Sequence, residues 1–315
     1  MDPIKPVGVP AHAWSQESAR ISSRPVPPKP PKEVTIGEIQ GDGPTSPLVG
    51  ERVKTKGIVT ALRGTGFYLQ AAKEESAKGS RAVWVYTGSD RTGVAVGDKL
   101  TVIGDVKEFK PESQPLEQPR TEVAGRLTLM IEARGLNLDV AVGSPRLVGK
   151  GGLVQPNVKA VEAIKFYEGL EGERVTIKDL LVVGPTAFGK FVAVTDAGSG
   201  ATRVNGAGVL IAIADDDAQP EAIAVKLVSG REDGDFVIAP KLKVGDRIKG
   251  DVSGILTQDR GQFVLEVTSL PAITEAPAYE FKSKLKASDT EMLVVSVNCE
   301  NLDPTDEITR FDRLA

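Results

Sequence analysis

The sequence predicts an all-β protein in which two small antiparallel β-domains, each a barrel or a sandwich, follow one another. Two observations support this prediction. Short β-branched runs are separated by turn residues, with 33 Gly and 21 Pro among 315 residues, and no long helical periodicity interrupts them. In addition, a set of short motifs recurs 122 to 148 residues further along the chain, which indicates an internal duplication.

Composition excludes several classes of protein. No apolar run approaches the ~20 residues needed to cross a bilayer, so no membrane span is predicted. The single His12 and the single Cys299 exclude a disulfide framework and a Cys/His zinc site. The formal net charge of −4 means that bulk charge does not attract nucleic acid. Met1 is followed by Asp2 and several prolines, so no signal peptide is visible.

Residues 1–32 are predicted to form a disordered, proline-rich tail. The run from Arg24 to Pro31 favours polyproline II geometry, either as a stiff tether or as a ligand for a proline-reading module.

From residue 33 the sequence changes to short β-branched runs separated by turn residues, and a first β-domain is predicted at 33–135. Its strands are expected at 53–60, 66–70, 83–87, 99–106 and 127–131.

The second β-domain is predicted at 160–272, after a Gly- and Pro-rich linker at 136–159. Four motif matches support it, and the interval between the later ones is longer in the second copy. An insertion is therefore expected between its third and fourth strands. The matches pair 48–53 with 170–175, 66–70 with 189–194, 96–98 with 244–246, and 104–106 with 250–252.

The two Val-Gly-Asp segments, at 96–98 and 244–246, are predicted to be turns, because Gly tolerates a positive φ and Asp caps a tight turn.

Residues 273–290 are predicted to be a linker. Residues 291–315 contain one convincing strand at 293–297 and a helix start near Pro304. A strand and a short helix cannot bury their own apolar faces, so this stretch is expected to be the truncated start of an α/β domain.

Several motifs together carry a resemblance to a family. Ile36-Gly-Glu-Ile-Gln-Gly41, Ser46-Pro-Leu-Val-Gly50, Lys56-Gly-Ile-Val-Thr60 and Gly66-Phe-Tyr-Leu-Gln70 resemble the OB-like module of large bacterial extracellular nucleases. Residues 164–175 and 182–186 look like the next segment of those proteins. Ser296-Val-Asn-Cys-Glu-Asn-Leu302 is similar to the first strand of the endonuclease/exonuclease/phosphatase fold. The resemblance covers about 34–315.

This resemblance implies two OB-like barrels and metal-dependent hydrolysis of phosphodiester bonds, with Mg²⁺ or Ca²⁺ as cofactor. It also implies a secreted or cell-surface location. Asn298 is the only catalytic residue that can be transferred, while Val297 and Cys299 depart from the family pattern. The catalytic domain is largely missing, so this chain alone is predicted not to hydrolyse DNA or RNA, because one Asn neither activates water nor stabilises a leaving oxygen.

The first β-domain offers candidates for nucleic-acid binding. Since side chains alternate along a strand, inward Phe67 and Leu69 would turn Tyr68 outward, and inward Val83 and Val85 would turn Trp84 and Tyr86 outward. Aromatic side chains with arginines on a barrel face hold single strands in OB-folds. The alternative is that Trp84 and Tyr86 pack against a loop or a neighbouring domain. The predicted nucleic-acid-binding residues are Tyr68, Trp84, Tyr86, Arg81 and Arg63.

Charge counts limit this idea. Residues 33–135 carry 14 Lys+Arg and 14 Asp+Glu, whereas 160–272 carry 12 and 17, for a net charge of −5. Phosphate-tracking surfaces are normally basic, so the second domain is expected to be a spacer or docking surface. Asp215-Asp-Asp217 is interpreted as an exposed loop, and no metal site is predicted on this chain.

Two functions follow. The first is an accessory region of a metal-dependent extracellular nuclease, which positions DNA or RNA or supports the catalytic domain. The alternative is a non-catalytic β-barrel module that binds carbohydrate or protein.

Overall fold

The computed structural model describes residues 30–89, 93–112, 118–157, 159–230, 237–259 and 262–277. The described residues through Ala276 belong to one compact unit. The predictions for the proline-rich tail up to residue 29, for the α/β fragment at 291–315 and for Asn298 lie outside the described residues.

The first six strands form a closed barrel with the neighbour order β1-β2-β3-β4-β6-β5. An antiparallel pairing of β2 with β5 closes one seam, and a parallel pairing of β4 with β6 closes the other. This order is that of a five-stranded Greek-key barrel of the OB type, with β1 added in parallel to β2. The elements are β1 (Lys32–Glu33), α1 (Ile36–Gln40), β2 (Arg52–Arg63), β3 (Gly66–Gln70), β4 (Ala82–Tyr86), β5 (Lys99–Phe109) and β6 (Arg120–Ala133).

Alternating side chains fill the core of this first barrel. Phe67, Leu69, Val83 and Val85 are all buried in it, as the period of two along β3 and β4 predicts. The short helix α1 packs against the same core through Ile36 and Ile39. Its start is fixed by a reciprocal capping box between Thr35 and Glu38.

The second barrel repeats the plan of the first. Its sheet has the order β13-β11-β12-β10-β9-β8-β7, is closed by β8 and β11, and has the same parallel pairing, here between β10 and β12. A helix again precedes the first long strand. The elements are α2 (Leu138–Ala141), β7 (Arg146–Val148), α3 (Ala160–Glu168), β8 (Arg174–Ala187), β9 (Lys190–Val194), β10 (Ile223–Leu227), β11 (Arg247–Asp259), β12 (Gln262–Val267) and β13 (Ile273–Thr274).

Matching turns show that the duplication is structural. The amide of Gly50 donates to the carbonyl of Val106, and the amide of Gly172 donates to the carbonyl of Leu256 in the same position of the second barrel. Both glycines have a positive φ, at 84° and 74°.

The two Val-Gly-Asp segments are also equivalent turns. Gly97 and Gly245 have φ values of 87° and 92°. Asp98 and Asp246 each accept a hydrogen bond from a backbone amide three residues earlier. These segments therefore serve as turns, as predicted.

Two details of the predicted repeat differ from the structure. Val53 pairs with Gly104, whereas the equivalent Val175 pairs with Gly254, so 104–106 corresponds to 254–256 and not to 250–252. The insertion lies mostly between the second and third strands of the second barrel, where residues 195–222 replace 71–81. Tight-turn chemistry recurs at many loops, which is why a short Gly-Asp-Val match misplaced the register.

The prediction of an all-β fold with two OB-like barrels is confirmed. The stretch 136–159, expected to be a linker, contains α2 and β7, and β7 pairs with β8 of the second barrel. No helix among the described residues has both the length and the apolar character that a membrane span requires.

Candidate functional site

The outward face of β3 and β4 in the first barrel is covered by the second barrel. Tyr68 and Trp84 are 2% and 4% exposed, and they form a separate apolar cluster with Ile255 of β11. Their rings lie 4.8 Å apart at a tilt of 59°. We call this contact, together with the polar groups around it, the barrel junction.

Buried polar bonds cross the barrel junction beside the aromatic rings. The hydroxyl of Tyr68 donates to Oγ1 of Thr257 at 2.7 Å. Nε of Arg63 donates to Oε2 of Glu266 at 2.7 Å, and both side chains are about nine-tenths buried. Burial raises the pKa of the Tyr68 hydroxyl, so this group stays a neutral donor at physiological pH.

A second group of contacts joins the barrels at the N-terminal end of β4. The amide of Arg81 donates to Oε1 of Glu173 at 2.8 Å, and Arg146 approaches the same carboxylate at 3.5 Å. The amide of Arg174 donates to Oε1 of Gln70 at 3.3 Å. The fully buried Glu173 is therefore shared between the first barrel and β7 of the second.

Gly172 allows the backbones to approach closely at this point. A Cβ atom at Gly172 would lie 3.3 Å from Cβ of Ala82 and 3.3 Å from Cδ1 of Tyr68. The equivalent Gly50 in the first barrel has nothing within 4 Å. The turn thus requires glycine in both barrels, whereas the tight packing belongs to the second copy alone.

The structure therefore brings four of the five predicted nucleic-acid-binding residues together, but at the barrel junction. Tyr68, Trp84 and Arg63 are covered there, and Arg81 pairs with Glu173 across it. Tyr86 remains 42% exposed. Tyr68 and Trp84 point out of their own barrel, as the alternation of side chains along a strand predicts. The neighbouring barrel covers them, so they are not accessible for base stacking in this arrangement.

Acidic side chains from both barrels surround Arg120 at one end of the barrel junction. Arg120 of β6 lies over the ring of Trp84, with 5.1 Å from Cζ to the ring centroid, and its Nη2 is 3.5 Å from Glu122. The charge of Arg120 also acts on the carboxyl of Glu171, which follows α3 and is 4% exposed. Oε1 of Glu171 is buried and finds no hydrogen-bond partner among the described residues.

Burial and like charge raise the pKa of two glutamates in this cluster. Desolvation, followed by the charge of Glu108, raises the pKa of Glu168 to about 7. Desolvation and then the charge of Glu168 raise the pKa of Glu171 well above its usual value. The amide of Gln258 donates to Oε1 of Glu168 at 3.1 Å. Burial and neighbouring negative charge therefore disfavour the ionised forms of Glu168 and Glu171.

The second barrel keeps an open groove on the face that corresponds to Tyr68 and Trp84. The strand pairings place Val192 and Ala224 at the equivalent positions, and these smaller side chains leave a cavity of about 370 Å³. Tyr167 and Phe263 stack beside it at 5.0 Å, and its polar groups are mostly carboxamides. The carboxamides are those of Gln118, Gln219, Gln258 and Gln262.

No group of three or more His, Cys, Asp or Glu side chains in the described ranges has the arrangement needed to hold a metal ion. Asp215, Asp216 and Asp217 lie in the loop between β9 and β10, where Asp217 accepts hydrogen bonds from the amides of Ile213 and Gln219.

Sequence reasoning missed the partners supplied by the second barrel. Thr257 and Glu266 lie 189 and 203 residues from the side chains that they bind. A charged residue within the β-branched run of β12 was the one available signal for Glu266, because charged groups are rarely buried without a partner. Nothing in the local pattern pointed to Thr257.

Comparison with known protein families finds one match, over the second barrel. A family described as "Domain of unknown function (DUF8508)" matches residues 145–275, which coincide with β7 to β13. No curated protein sequence matches the chain.

Several solved structures are similar to this chain at low sequence identity. A murine DNA-binding protein bound to double-stranded DNA shares 7% identity, with 73% of this chain and 99% of that chain covered and a TM-score of 0.26. The single-stranded DNA-binding protein from Thermus aquaticus shares 16%, covering 74% and 97%, with a TM-score of 0.20. Fission yeast Pot1 with single-stranded DNA shares 12%, covering 75% and 87%, with a TM-score of 0.25. At these TM-scores the likenesses assign no function to this chain.

Proposed function

We propose that the described region is a rigid two-barrel support within a secreted or cell-surface, metal-dependent nuclease. In this proposal it braces a catalytic domain that begins near Asn298 and holds that domain's nucleic-acid substrate in place. The metal, Mg²⁺ or Ca²⁺, belongs to the catalytic domain, where Asn298 contributes one carboxamide.

One observation supports a bracing role above all others. The face best suited to stack bases on the first barrel is used to join the two barrels, through the Tyr68–Thr257 bond and the Arg63–Glu266 ion pair. Separating the barrels would expose this buried aromatic cluster to water, which favours the docked arrangement. The sequence resemblance to nucleases supports the identity of the domain being braced.

Activity and binding measurements on the purified 315-residue chain test this proposal. We expect no hydrolysis of DNA or RNA with Mg²⁺, Ca²⁺ or Mn²⁺, and only weak, salt-sensitive binding of single-stranded DNA by fluorescence anisotropy. A polypeptide extended through the reading frame beyond Ala315 should hydrolyse nucleic acid, and Asn298→Ala should abolish this activity. A stop codon directly after Ala315, or turnover by residues 1–315 alone, would contradict the proposal.

The open groove on the second barrel favours one alternative function, a binding module for neutral ligands. Its walls combine the apolar Val192 and Ala224 with several carboxamides, and none of the described residues that line it is a Lys or Arg. Such a lining suits a carbohydrate or a peptide better than a phosphate. Binding of neutral oligosaccharides that is lost in Phe263→Ala, with unchanged thermal stability, would favour this alternative.

A further inference from the structure

The Arg120 end of the barrel junction brings four described carboxyl groups, two from each barrel, near two described cations, Arg120 and Lys107. Glu168 ends α3 and Glu171 lies in the turn before β8, both in the second barrel. Glu108 of β5 and Glu122 of β6 belong to the first barrel. The charges of Glu168 and Glu108 raise the pKa of the buried Glu171 carboxyl, and the charge of Arg120 opposes them.

Hydrogen bonds within the first barrel fix the position of the Glu108 carboxylate. Oε1 of Glu108 accepts from the amide of Ser46 at 2.7 Å and from Oγ1 of Thr121 at 2.9 Å. Nη2 of Arg120 lies 3.5 Å from Oε2 of Glu122. Burial raises the pKa of the Glu122 carboxyl, and the charges of Arg120 and Lys107 oppose this rise.

The described residues include no ion-pair partner for the carboxyl groups of Glu168 and Glu171, although the charge of Arg120 acts on Glu171. Gln258 of β11 is the neutral donor beside them, at 3.1 Å from Oε1 of Glu168. Ser80 donates to the backbone carbonyl of Glu171 at 2.6 Å, which holds this turn against the first barrel. Ionising either carboxyl adds a charge to a buried contact that holds no ion-pair partner for it among the described residues, which is unfavourable.

We propose that the docking of the two barrels is proton-dependent, with Glu168 and Glu171 protonated when the barrels are docked. Each carboxylate takes up one proton from solvent as the junction closes and returns it as the junction opens. Acid therefore tightens the junction, and alkaline conditions loosen it. This inference concerns the two-barrel unit itself and does not depend on the proposed nuclease role.

Two backbone amides report directly on docking. The amide of Arg81 donates to Glu173 and that of Arg174 donates to Gln70, so each bond crosses between the barrels. The amide of Val182, which donates to Asp246 within the second barrel, serves as an internal control. Hydrogen exchange of the 315-residue chain, corrected for intrinsic rates, measures all three between pH 5 and pH 8.

We expect the protection of the two junction amides to fall with rising pH while that of Val182 stays constant. A carboxyl with a pKa near 4.5 when free and about 7 when docked predicts a loss of docking of roughly 70-fold over this interval for Glu168 alone. The double variant Glu168→Gln, Glu171→Gln should keep the acid level of protection at both pH values. The matched control Glu162→Gln, on the exposed side of α3, should behave as the wild type.

Three results would overturn the inference. The first is amide protection at the wild-type junction that does not change with pH. The second is a double variant whose protection keeps the pH dependence. The third is protection at pH 8 that millimolar Ca²⁺ or Mg²⁺ restores, which would make the cluster a cation site. If the double variant fails to fold, ¹³C titration of the wild-type glutamate carboxyls decides. In that measurement, the absence of any glutamate titration midpoint near or above 7 would refute the proposal.

Discussion

Replacing Trp84 by alanine separates a joining role from a base-stacking role. Trp84 is 4% exposed, packs against Tyr68 at 4.8 Å and Ile255, and lies under the guanidinium of Arg120 at 5.1 Å. Truncating a buried aromatic side chain costs about 3–5 kcal/mol. At ~2–4 °C per kcal/mol for a unit of this size, the melting temperature should fall by roughly 10 °C.

The matched control is Tyr86→Ala, two residues along the same strand. Tyr86 is 42% exposed, and surface substitutions usually change stability by no more than about 0.5 kcal/mol. Thermal and urea unfolding of both variants should be followed by far-UV circular dichroism, because Trp84→Ala removes one of the two tryptophans that fluorescence would use. The reasoning is refuted if Trp84→Ala is as stable as Tyr86→Ala, or if it loses nucleic-acid binding without losing stability.

Three further predictions follow from the same contacts. Arg63→Ala leaves Glu266 buried without its main partner and should lower the free energy of unfolding in urea by about 3–5 kcal/mol. Arg63→Met combined with Glu266→Leu should recover most of this loss. An Arg63→Ala variant as stable as the double variant would contradict a buried pair. Gly172→Ala should be roughly 1 kcal/mol more destabilising than Gly50→Ala, because both variants incur the strain of a positive φ but only position 172 is crowded. Calorimetry that ranks the two variants the other way would exclude the close approach of Gly172 to Ala82 and Tyr68. The raised pKa of Glu168 means that the folded state keeps a proton that the unfolded state loses. The contribution of Glu168 to the free energy of unfolding should therefore fall by roughly 2–3 kcal/mol from pH 5 to pH 8 and level off above about pH 7. A Glu168→Gln variant whose pH–stability curve matches that of the wild type would disprove this.

Local patterns predicted the barrels well because their causes are local. A period of two along β3 and β4 places Phe67 and Val83 inside the barrel and Tyr68 and Trp84 outside it, since successive side chains of a strand point to opposite faces. The Val-Gly-Asp turns depend on one positive φ and one capping carboxylate within a few residues. The repeat of these local signals was sufficient to predict two related barrels.

The candidate site could not be predicted in the same way. The sequence selected Arg63, Tyr68, Arg81 and Trp84 as one surface, and the structure keeps them together, but it covers that surface with residues up to 203 positions away. Strand alternation shows that a side chain leaves its own barrel and says nothing about what it meets outside. The proton-holding pair of Glu168 and Glu171 was invisible for the same reason, because its burial depends on both barrels.

The amino-acid sequence alone therefore determines two β-barrels, their turns and the faces that each strand presents, because these features arise from the conformational preferences of short segments. Only the tertiary structure decides that the aromatic face of the first barrel joins it to the second and that the equivalent face of the second barrel stays open as a groove. The physical reason is that docking depends on shape, burial and charge balance across surfaces assembled from distant segments. The replacement of Tyr68 and Trp84 by Val192 and Ala224 changes that shape without changing the fold.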